Sequence, residues 1–175
     1  EPNGLLAAGG SLDPERLLDA YSKGIFPWFE EGQPILWWTP DPRMVLCTEE
    51  LHIGRSLAKA IKKSSFKITS DKAFSTVVHN CAGKRPYSTD TWITPDMEKA
   101  YCTLHEMGAA HSIEVWEHNT LVGGLYGLAI GEVFFGESMF SYRDNASKIA
   151  FSFLVEKLAV LGYRLVDCQV SSPFL

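Results

Sequence analysis

With 175 residues, 46% of them apolar, and a formal net charge of -5, the chain is long enough for one good core or for one domain with a small subdomain. These values exclude a disordered tail and argue against a general nucleic-acid binder, which usually has a basic balance. No stretch approaches the roughly 20 apolar residues of a membrane span, and the start lacks the basic region of a signal peptide, so we expect a soluble cytoplasmic protein.

The first predicted element is a helix near the N-terminus. Asp13 and Pro14 suit its N-cap and first helical positions. Leu17 and Tyr21 give it an apolar face, and Gly24 ends it.

Five aromatic residues and four prolines crowd residues 24–43. This composition predicts a stiff, irregular platform rather than a helix or a central strand. The rings can fill a small subdomain, or they can be exposed and stack on bases. Because the texture changes near residue 43, we predict a small aromatic-rich N-terminal domain over 1–43 and a larger domain over 44–175.

The pattern after residue 43 is typical of an α+β domain. The predicted elements are, in order, a helix at 50–62, a strand at 66–70, a helix at 71–80, a polar loop at 83–94, a helix at 94–108, strands at 111–117, 121–130 and 132–141, a helix at 145–161 and a strand at 164–170. The three consecutive strands form a meander. A strand, a helix and a strand then imply a right-handed crossover, so we expect the last strand to be parallel to a neighbour.

Three lysines share one face of the helix predicted at 50–62. Lys59, Lys62 and Lys63 lie at spacings of three and four residues. Such a cluster fits a solvated helix face, and it also fits a patch that touches a phosphate backbone.

The cysteines are not spaced as pairs, and they lie in apolar segments. Reduced core thiols are therefore expected at Cys47, Cys81, Cys102 and Cys168. Cys102, His105 and His111 could suggest a zinc site, but a helix followed by a strand explains their neighbours equally well. We expect no metal.

An acid interrupts the strongly apolar strand predicted at 132–141. Simple alternation places Glu137, Met139 and Ser141 on one face and Phe134, Ser138 and Phe140 on the other. A carboxylate buried without a partner costs several kcal/mol. Glu137 therefore meets a donor, lines a cavity that receives one, or reaches solvent at an edge.

A second polar pair lies on the last predicted strand. Asp167 and Gln169 share a face, whereas Cys168 points the other way with Val166, which makes Cys168 a core thiol rather than a nucleophile. The pair lies near the C-terminal end of a parallel strand, where open α/β sheets bind ligands. The alternative is that these side chains tie down a neighbouring loop.

Ordered sequence motifs extend along the whole chain: EPNGLLAAGGSLDPERLLDAYSKGIFPWF, ILWWTPDPR, LHIGRSL, TWIT, HSIEVW, LVGGLYG, FGESMFS, NASK and DCQ. In these motifs the chain resembles the leucyl/phenylalanyl-tRNA-protein transferase family. The resemblance implies an α+β fold: a small N-terminal subdomain followed by an N-acetyltransferase-like (GNAT-like) domain with a central mixed sheet. Since family members continue past the DCQ strand, it also implies that this domain is C-terminally incomplete and that the chain is a fragment.

The function implied by the resemblance is that of an aminoacyltransferase. Such enzymes move Leu, Phe or Met from aminoacyl-tRNA to the N-terminal Arg or Lys of an acceptor protein, which marks it for degradation by the N-degron pathway. The resemblance implies no coenzyme A, no metal and no other cofactor. Aminoacyl-tRNA and acceptor proteins or peptides would be the partners.

The resemblance also implies roles for individual residues. Asp167 would take or relay the proton of the attacking amine, and Gln169 would orient the amine or the ester. An aminoacyl pocket would be formed by Leu125, Phe134, Glu137, Met139, Ser141 and Leu154, with Glu137 near the amine of the amino acid.

The tRNA would be bound by a second set of residues. Trp28 and Trp92 would hold the 3′-terminal adenosine, and Lys59, Lys62 and Lys63 would approach the tRNA body.

The aminoacyl pocket does not fit a regular strand. Strict alternation puts Phe135, not Phe134, beside Glu137, and a bulge at Gly136 would reconcile the strand pattern with the aminoacyl pocket.

Two other functions fit the same residues. An acyl-CoA-dependent N-acyltransferase would share the fold, but no Gly-x-Gly or Gly-x-Ala phosphate loop precedes the helix at 145–161. A non-catalytic module that binds tRNA ends or peptide N-termini is the second alternative.

Overall fold

The computed structural model describes residues 3–83 and 92–170. Its helices are α1 (Pro14–Ser22), α2 (Arg55–Lys63), α3 (Phe74–Ala82), α4 (Pro95–Glu106) and α5 (Ala146–Val160). Its strands are β1 (Leu5–Ala8), β2 (Phe26–Pro27), β3 (Leu36–Trp38), β4 (Met44–Cys47), β5 (Lys67–Ser70), β6 (Ala110–Glu117), β7 (Thr120–Ile130), β8 (Val133–Ser141) and β9 (Leu165–Gln169). The mixed α+β class expected from the sequence is confirmed.

Two short strands of the aromatic segment, β2 and β3, join β1 in a small antiparallel sheet with the order β1-β3-β2. The prediction that this segment contains no central strand is therefore wrong for β3. Trp37 is buried in the core, and its indole Nε1 donates to the Gly9 carbonyl at 2.8 Å. Pro27 lies in the edge strand β2, where a missing N–H is tolerated.

Within residues 3–83 and 92–170, the second sheet has six strands in the order β4-β9-β8-β7-β6-β5. β6, β7 and β8 form the expected antiparallel meander. β9 is parallel to β8, which confirms the predicted crossover through α5. β4 pairs with β9 on the far side and was not predicted, nor was β1.

The first residues of α2 and α3 differ from the predicted ones, whereas α4 begins as predicted. Pro95 opens α4 behind Thr94, whose side chain accepts a hydrogen bond from the Met97 N–H at 3.3 Å. α2 begins later than predicted, since residues 48–50 form a short 3-10 helix. α3 begins at Phe74 rather than at Asp71, which has a left-handed φ of 57°. Most of the predicted polar loop at 83–94 lies outside the described residues.

A β-bulge interrupts β8 beside Gly136. Tyr126 pairs with Ser138 and Gly127 with Gly136, which leaves Glu137 as the extra residue. The bulge expected at this position is therefore present.

The bulge reverses the alternation of side chains along β8. Phe135 and Phe140 belong to the core cluster that includes residues of α3 and α4, whereas Phe134 and Met139 pack in the cluster beneath α5. The predicted grouping of Phe134 with Phe140 is wrong because it assumed an uninterrupted strand.

The parallel strands β8 and β9 diverge after a short paired stretch. In the part of the chain that the structure describes, they pair at three positions, the last of which joins Phe135 to Asp167. β8 continues to Ser141 and β9 to Gln169. The sheet is therefore split at the C-terminal end of β9. None of the described helices is long and apolar enough to span a membrane.

Candidate active site

A cavity of about 900 Å³ opens where β8 and β9 diverge. Its walls include Tyr126 and Phe140 from one core cluster and Leu125 and Leu154 from the other. All six residues of the predicted aminoacyl pocket line this one cavity: Leu125, Phe134, Glu137, Met139, Ser141 and Leu154.

The apolar part of the cavity lies on the α5 side of the sheet. Phe134, Met139 and Leu154 pack in the same cluster as Leu125, which is opposite Met139 in the β7–β8 pairing. Ser141 has a structural contact, because its hydroxyl donates to the Arg143 carbonyl at 2.8 Å and accepts from the Ser147 N–H at 3.2 Å. That hydroxyl helps to begin α5.

Two tryptophans contribute an aromatic wall. Trp28 and Trp92 both line the cavity, as the assignment to one ligand requires. Trp28 is 50% exposed and leans on Trp38 with ring centroids 5.8 Å apart. The Trp38 indole also donates to the Trp28 carbonyl at 2.7 Å. These contacts fix the Trp28 ring while leaving part of it open for stacking.

Glu137 is held by two tyrosines and an amide. Its Oε1 accepts from the Tyr21 hydroxyl at 2.7 Å and from Gln169 Nε2 at 2.9 Å, and its Oε2 accepts from the Tyr101 hydroxyl at 3.1 Å. The two hydroxyl oxygens are themselves 2.6 Å apart. Two of the alternatives predicted for Glu137 therefore hold together: its carboxyl group meets hydrogen-bond donors, and its side chain lines a cavity.

Burial raises the pKa of Glu137 to about 7, and the hydrogen bonds from Tyr21, Tyr101 and Gln169 partly offset that rise. Proton counting agrees with this direction. When both hydroxyls donate to a carboxylate, the 2.6 Å contact between the hydroxyls is left without a proton. A protonated Glu137 can instead donate to one tyrosine, which frees that hydroxyl to donate to the other. The carboxyl group can therefore be charged or neutral near neutral pH.

Asp167 lies behind Gln169 rather than on the cavity wall. Gln169 lines the cavity, whereas Asp167 is not among its described lining residues. Asp167 accepts from Arg43 Nε at 2.9 Å and Nη2 at 2.7 Å, and from the Gln169 backbone N–H at 2.9 Å. Gln169 has a left-handed φ of 64°. The two predicted residues are thus in contact, but with different exposures to the cavity.

The sequence predictions missed Arg43, Tyr21 and Tyr101. Each lies far along the chain from the group it contacts, with separations of 124, 116 and 36 residues. Tyr21 was assigned to an apolar helix face, and its hydroxyl had no local signal of a partner. Arg43 directly follows Pro42 and ends a segment that contains four prolines, which was the available hint of a rigid junction.

Lys59, Lys62 and Lys63 are exposed on α2, a helix in which none of the residues is buried. A solvated helix face and a patch that touches phosphates both require this exposure. Cys168 is a half-buried thiol on the cavity wall, and burial together with the nearby Asp167 raises its pKa to about 11.

The zinc alternative finds no support among the described residues, where no group of three His, Cys, Asp or Glu side chains is arranged to hold a metal. His105 stacks on Phe74 with centroids 4.2 Å apart, and His111 contacts Asp71 at 2.8 Å.

Sequence matches to known proteins cover most or all of the chain. The family model described as leucyl/phenylalanyl-tRNA protein transferase matches residues 45–175, and the model of that family's N-terminal domain matches residues 10–41. A leucyl/phenylalanyl-tRNA–protein transferase of Stutzerimonas stutzeri is 59% identical over 175 residues, which are 100% of this chain and 77% of that protein. The protein of the same name from Saccharophagus degradans is 58% identical over 100% of this chain and 72% of its own length.

A solved structure described as L-PGS from Bacillus licheniformis is similar in fold, with a TM-score of 0.50 at 11% sequence identity over 92% of this chain and 52% of that one. At that identity the likeness concerns the fold alone. The two family models and the identities near 58% concern the sequence itself. The chain belongs to the leucyl/phenylalanyl-tRNA protein transferase family.

Proposed function

We propose that this chain moves Leu, Phe or Met from aminoacyl-tRNA to the N-terminal Arg or Lys of an acceptor protein, which marks that protein for the N-degron pathway in the cytoplasm. The observation that carries the proposal is the split between β8 and β9, where an apolar pocket, two tryptophans and the Glu137–Gln169 pair line one cavity. Membership of the family gives the reaction class.

The finer fold assignment is part of the same proposal. A mixed sheet whose parallel strands diverge beside a bulge supports a GNAT-like domain over 44–175. The separate sheet of β1, β3 and β2 supports a small domain over 1–43.

The reaction is aminolysis of an ester. A bond forms between the acceptor α-nitrogen and the carbonyl carbon, the ester C–O bond breaks, and the proton that leaves the nitrogen ends on the ribose hydroxyl. An α-amine has a pKa of about 8, so its neutral form is readily available. Positioning of the two substrates supplies much of the rate, because the ester is already activated.

Gln169 and Asp167 divide the work on the acceptor side. The amide of Gln169 orients the incoming amine or the ester, with Nε2 held by Glu137. Asp167 is not on the described cavity wall and accepts the Gln169 N–H, so a proton of the amine reaches it only through a bridging water. We assign Asp167 to relaying the proton in this way rather than taking it directly from the amine.

Glu137 receives the amine of the donor amino acid. With its pKa raised to about 7 by burial, it can meet a neutral amine as an acid or an ammonium group as a carboxylate. The side chain of that amino acid lies against Leu125, Phe134, Met139 and Leu154, and Ser141 also lines the cavity. A flexible thioether wall favours unbranched and γ-branched side chains over β-branched ones.

The tRNA is bound at its common end and along its backbone. Trp28 and Trp92 stack on the 3′-terminal adenosine, which all such tRNAs share. Lys59, Lys62 and Lys63 contact phosphates of the tRNA body.

The test is single-turnover transfer of labelled Leu from tRNA to an Arg-initiated peptide, with an Ala-initiated peptide as substrate control. We expect transfer to the Arg peptide by the wild type and a fall of about 100-fold in both Asp167→Ala and Asp167→Asn. Asp19→Ala is the matched control, since it removes an aspartate from an exposed ion pair with Lys23. Binding of aminoacyl-tRNA without transfer would favour the non-catalytic module. The absence of both binding and transfer would contradict the proposal.

A further inference from the structure

Arg43 joins three parts of the molecule through one guanidinium group. Its Nε and Nη2 donate to both carboxylate oxygens of Asp167, and its Nη1 donates to the Gly24 carbonyl at 2.9 Å. The guanidinium carbon lies 5.0 Å from the centre of the Phe26 ring. Only 19% of the Arg43 side chain is exposed. Arg43 therefore makes specific buried contacts instead of a surface ion pair.

The first consequence concerns the end of β9. Beyond Asp167 this strand has no described pairing with β8, and Gln169 has a left-handed φ of 64°, which non-glycine residues seldom adopt. The Asp167 carboxylate holds this conformation by accepting the Gln169 N–H at 2.9 Å. Arg43 in turn fixes the carboxylate through a two-point contact, which defines its orientation as well as its position.

The second consequence concerns the opposite wall of the cavity. Phe26 and Trp28 line the cavity, and both follow closely after Gly24, whose carbonyl accepts from Arg43. The same guanidinium group therefore contacts the strand that carries Gln169 and the segment that carries the aromatic wall.

We propose that Arg43 is a positioning residue for the transfer reaction, which keeps Gln169 directed at Glu137 and sets the distance from Gln169 to the aromatic wall of residues 26–28. The kinetic part of this inference rests on the proposed function, whereas its structural part does not. A lysine cannot replace Arg43, because one ammonium group lacks the planar fork that reaches two carboxylate oxygens and a carbonyl together.

The structural test is amide hydrogen exchange in Arg43→Gln and Arg43→Lys. We expect the Gln169 amide to exchange at least about tenfold faster in both variants, because its acceptor is no longer held. The amide of Val166, a residue paired with both neighbouring strands, should change by less than about twofold. Unchanged exchange at Gln169 would overturn the inference whatever the enzyme activity.

Arg164→Ala is the matched control for these variants. Arg164 precedes β9 and pairs with Glu132 at 3.1 Å, but 81% of its side chain is exposed. The Arg164→Ala substitution thus removes an arginine–carboxylate pair at the other end of the same strand. We expect wild-type exchange at Gln169 in this variant.

The kinetic test separates positioning from substrate binding. In Arg43→Lys and Arg43→Ala we expect kcat to fall by about 100-fold, with KM for leucyl-tRNA changed by less than about threefold. Added guanidinium should partly restore kcat in Arg43→Ala and should leave Arg164→Ala unaffected. A raised KM with unchanged kcat would make Arg43 a substrate-binding residue and overturn the inference.

The two proposals fail in different ways. A wild-type protein that transfers nothing contradicts the proposed function, and the exchange rate at Gln169 still decides the role of Arg43. If Arg43→Ala does not fold, Arg43→Lys provides the kinetic result, since it keeps the positive charge.

Discussion

At the scale of single residues, Glu137 couples protonation to folding. Its pKa is raised by burial from an ordinary 4.5 to about 7, so the folded protein binds this proton more tightly than the unfolded chain does. Stability rises with pH only where the unfolded state binds more protons. Between pH 4.5 and 7 the folded state binds more, and the contribution of Glu137 to the free energy of unfolding therefore decreases as the pH rises.

Glu137→Gln should remove this dependence. We expect the variant to gain about 2 kcal/mol of stability relative to the wild type as the pH rises from 5 to 7.5, because the amide mimics the neutral acid. Urea unfolding at several pH values measures the difference. Glu132→Gln, at an exposed site, is the control for the loss of one carboxylate. Parallel curves for the wild type and Glu137→Gln would count against the raised pKa.

Tyr126 has a buried hydroxyl for which no hydrogen-bond partner is found among the described residues. An unsatisfied buried polar group costs roughly 1 kcal/mol or more, so Tyr126→Phe should raise the free energy of unfolding by about that amount. Tyr101→Phe is the control of opposite sign, since it removes a hydroxyl bonded to Glu137 and Tyr21. Thermal denaturation measures the Tm of both variants relative to the wild type. A lower Tm in Tyr126→Phe would refute the expectation.

At the scale of elements, the bulge in β8 depends on a glycine in β7. A Cβ at Gly127 would lie 2.1 Å from the Phe135 carbonyl oxygen and 2.5 Å from the Phe134 ring. Gly136, its partner across the bulge, has room, since a Cβ there would come no closer than 3.6 Å to the Asp167 carbonyl oxygen.

Gly127→Ala should therefore destabilise the protein by about 3 kcal/mol, because backbone must move to make space. Gly136→Ala is the matched control and should cost less than about 1 kcal/mol. Chemical denaturation measures both. Equal effects of the two substitutions would mean that the close approach of β7 and β8 is not what requires glycine.

Local signals explain which elements the sequence reveals. The meander and the crossover through α5 were predictable because their apolar periodicity and turn residues are adjacent along the chain. β1 and β4 were missed because each has four residues and pairs with residues about 30 and about 120 positions away. The same limit hid Tyr21, Tyr101 and Arg43, whose partners become neighbours only in the folded protein.

At the scale of the whole molecule, a protein of net charge -5 carries an exposed lysine cluster on α2. If these lysines contact tRNA phosphates, replacing all three with alanine should weaken tRNA binding and reduce the slope of log K against log salt by about 2. Binding titrations at several KCl concentrations measure the slope. Lys99→Ala, on exposed α4 surface, is the control. An unchanged slope in the triple variant would assign the lysines to a solvated face.

The candidate site combines local and long-range features. Glu137, Asp167 and Gln169 stand out in the sequence because polar residues interrupt apolar strands, and the structure brings them into contact. The bulge in β8 and the left-handed backbone of Gln169 determine which of these side chains faces the cavity. The sequence suggested the bulge but not the left-handed backbone.

The walls of the cavity come from both core clusters, so side chains from the two faces of the six-stranded sheet meet at one opening of about 900 Å³. If this space receives both reactants of the proposed transfer, the acceptor amine can reach the ester while the tRNA is still bound. In that case neither reactant has to depart before the other arrives, and no group on the protein has to carry the amino acid in between.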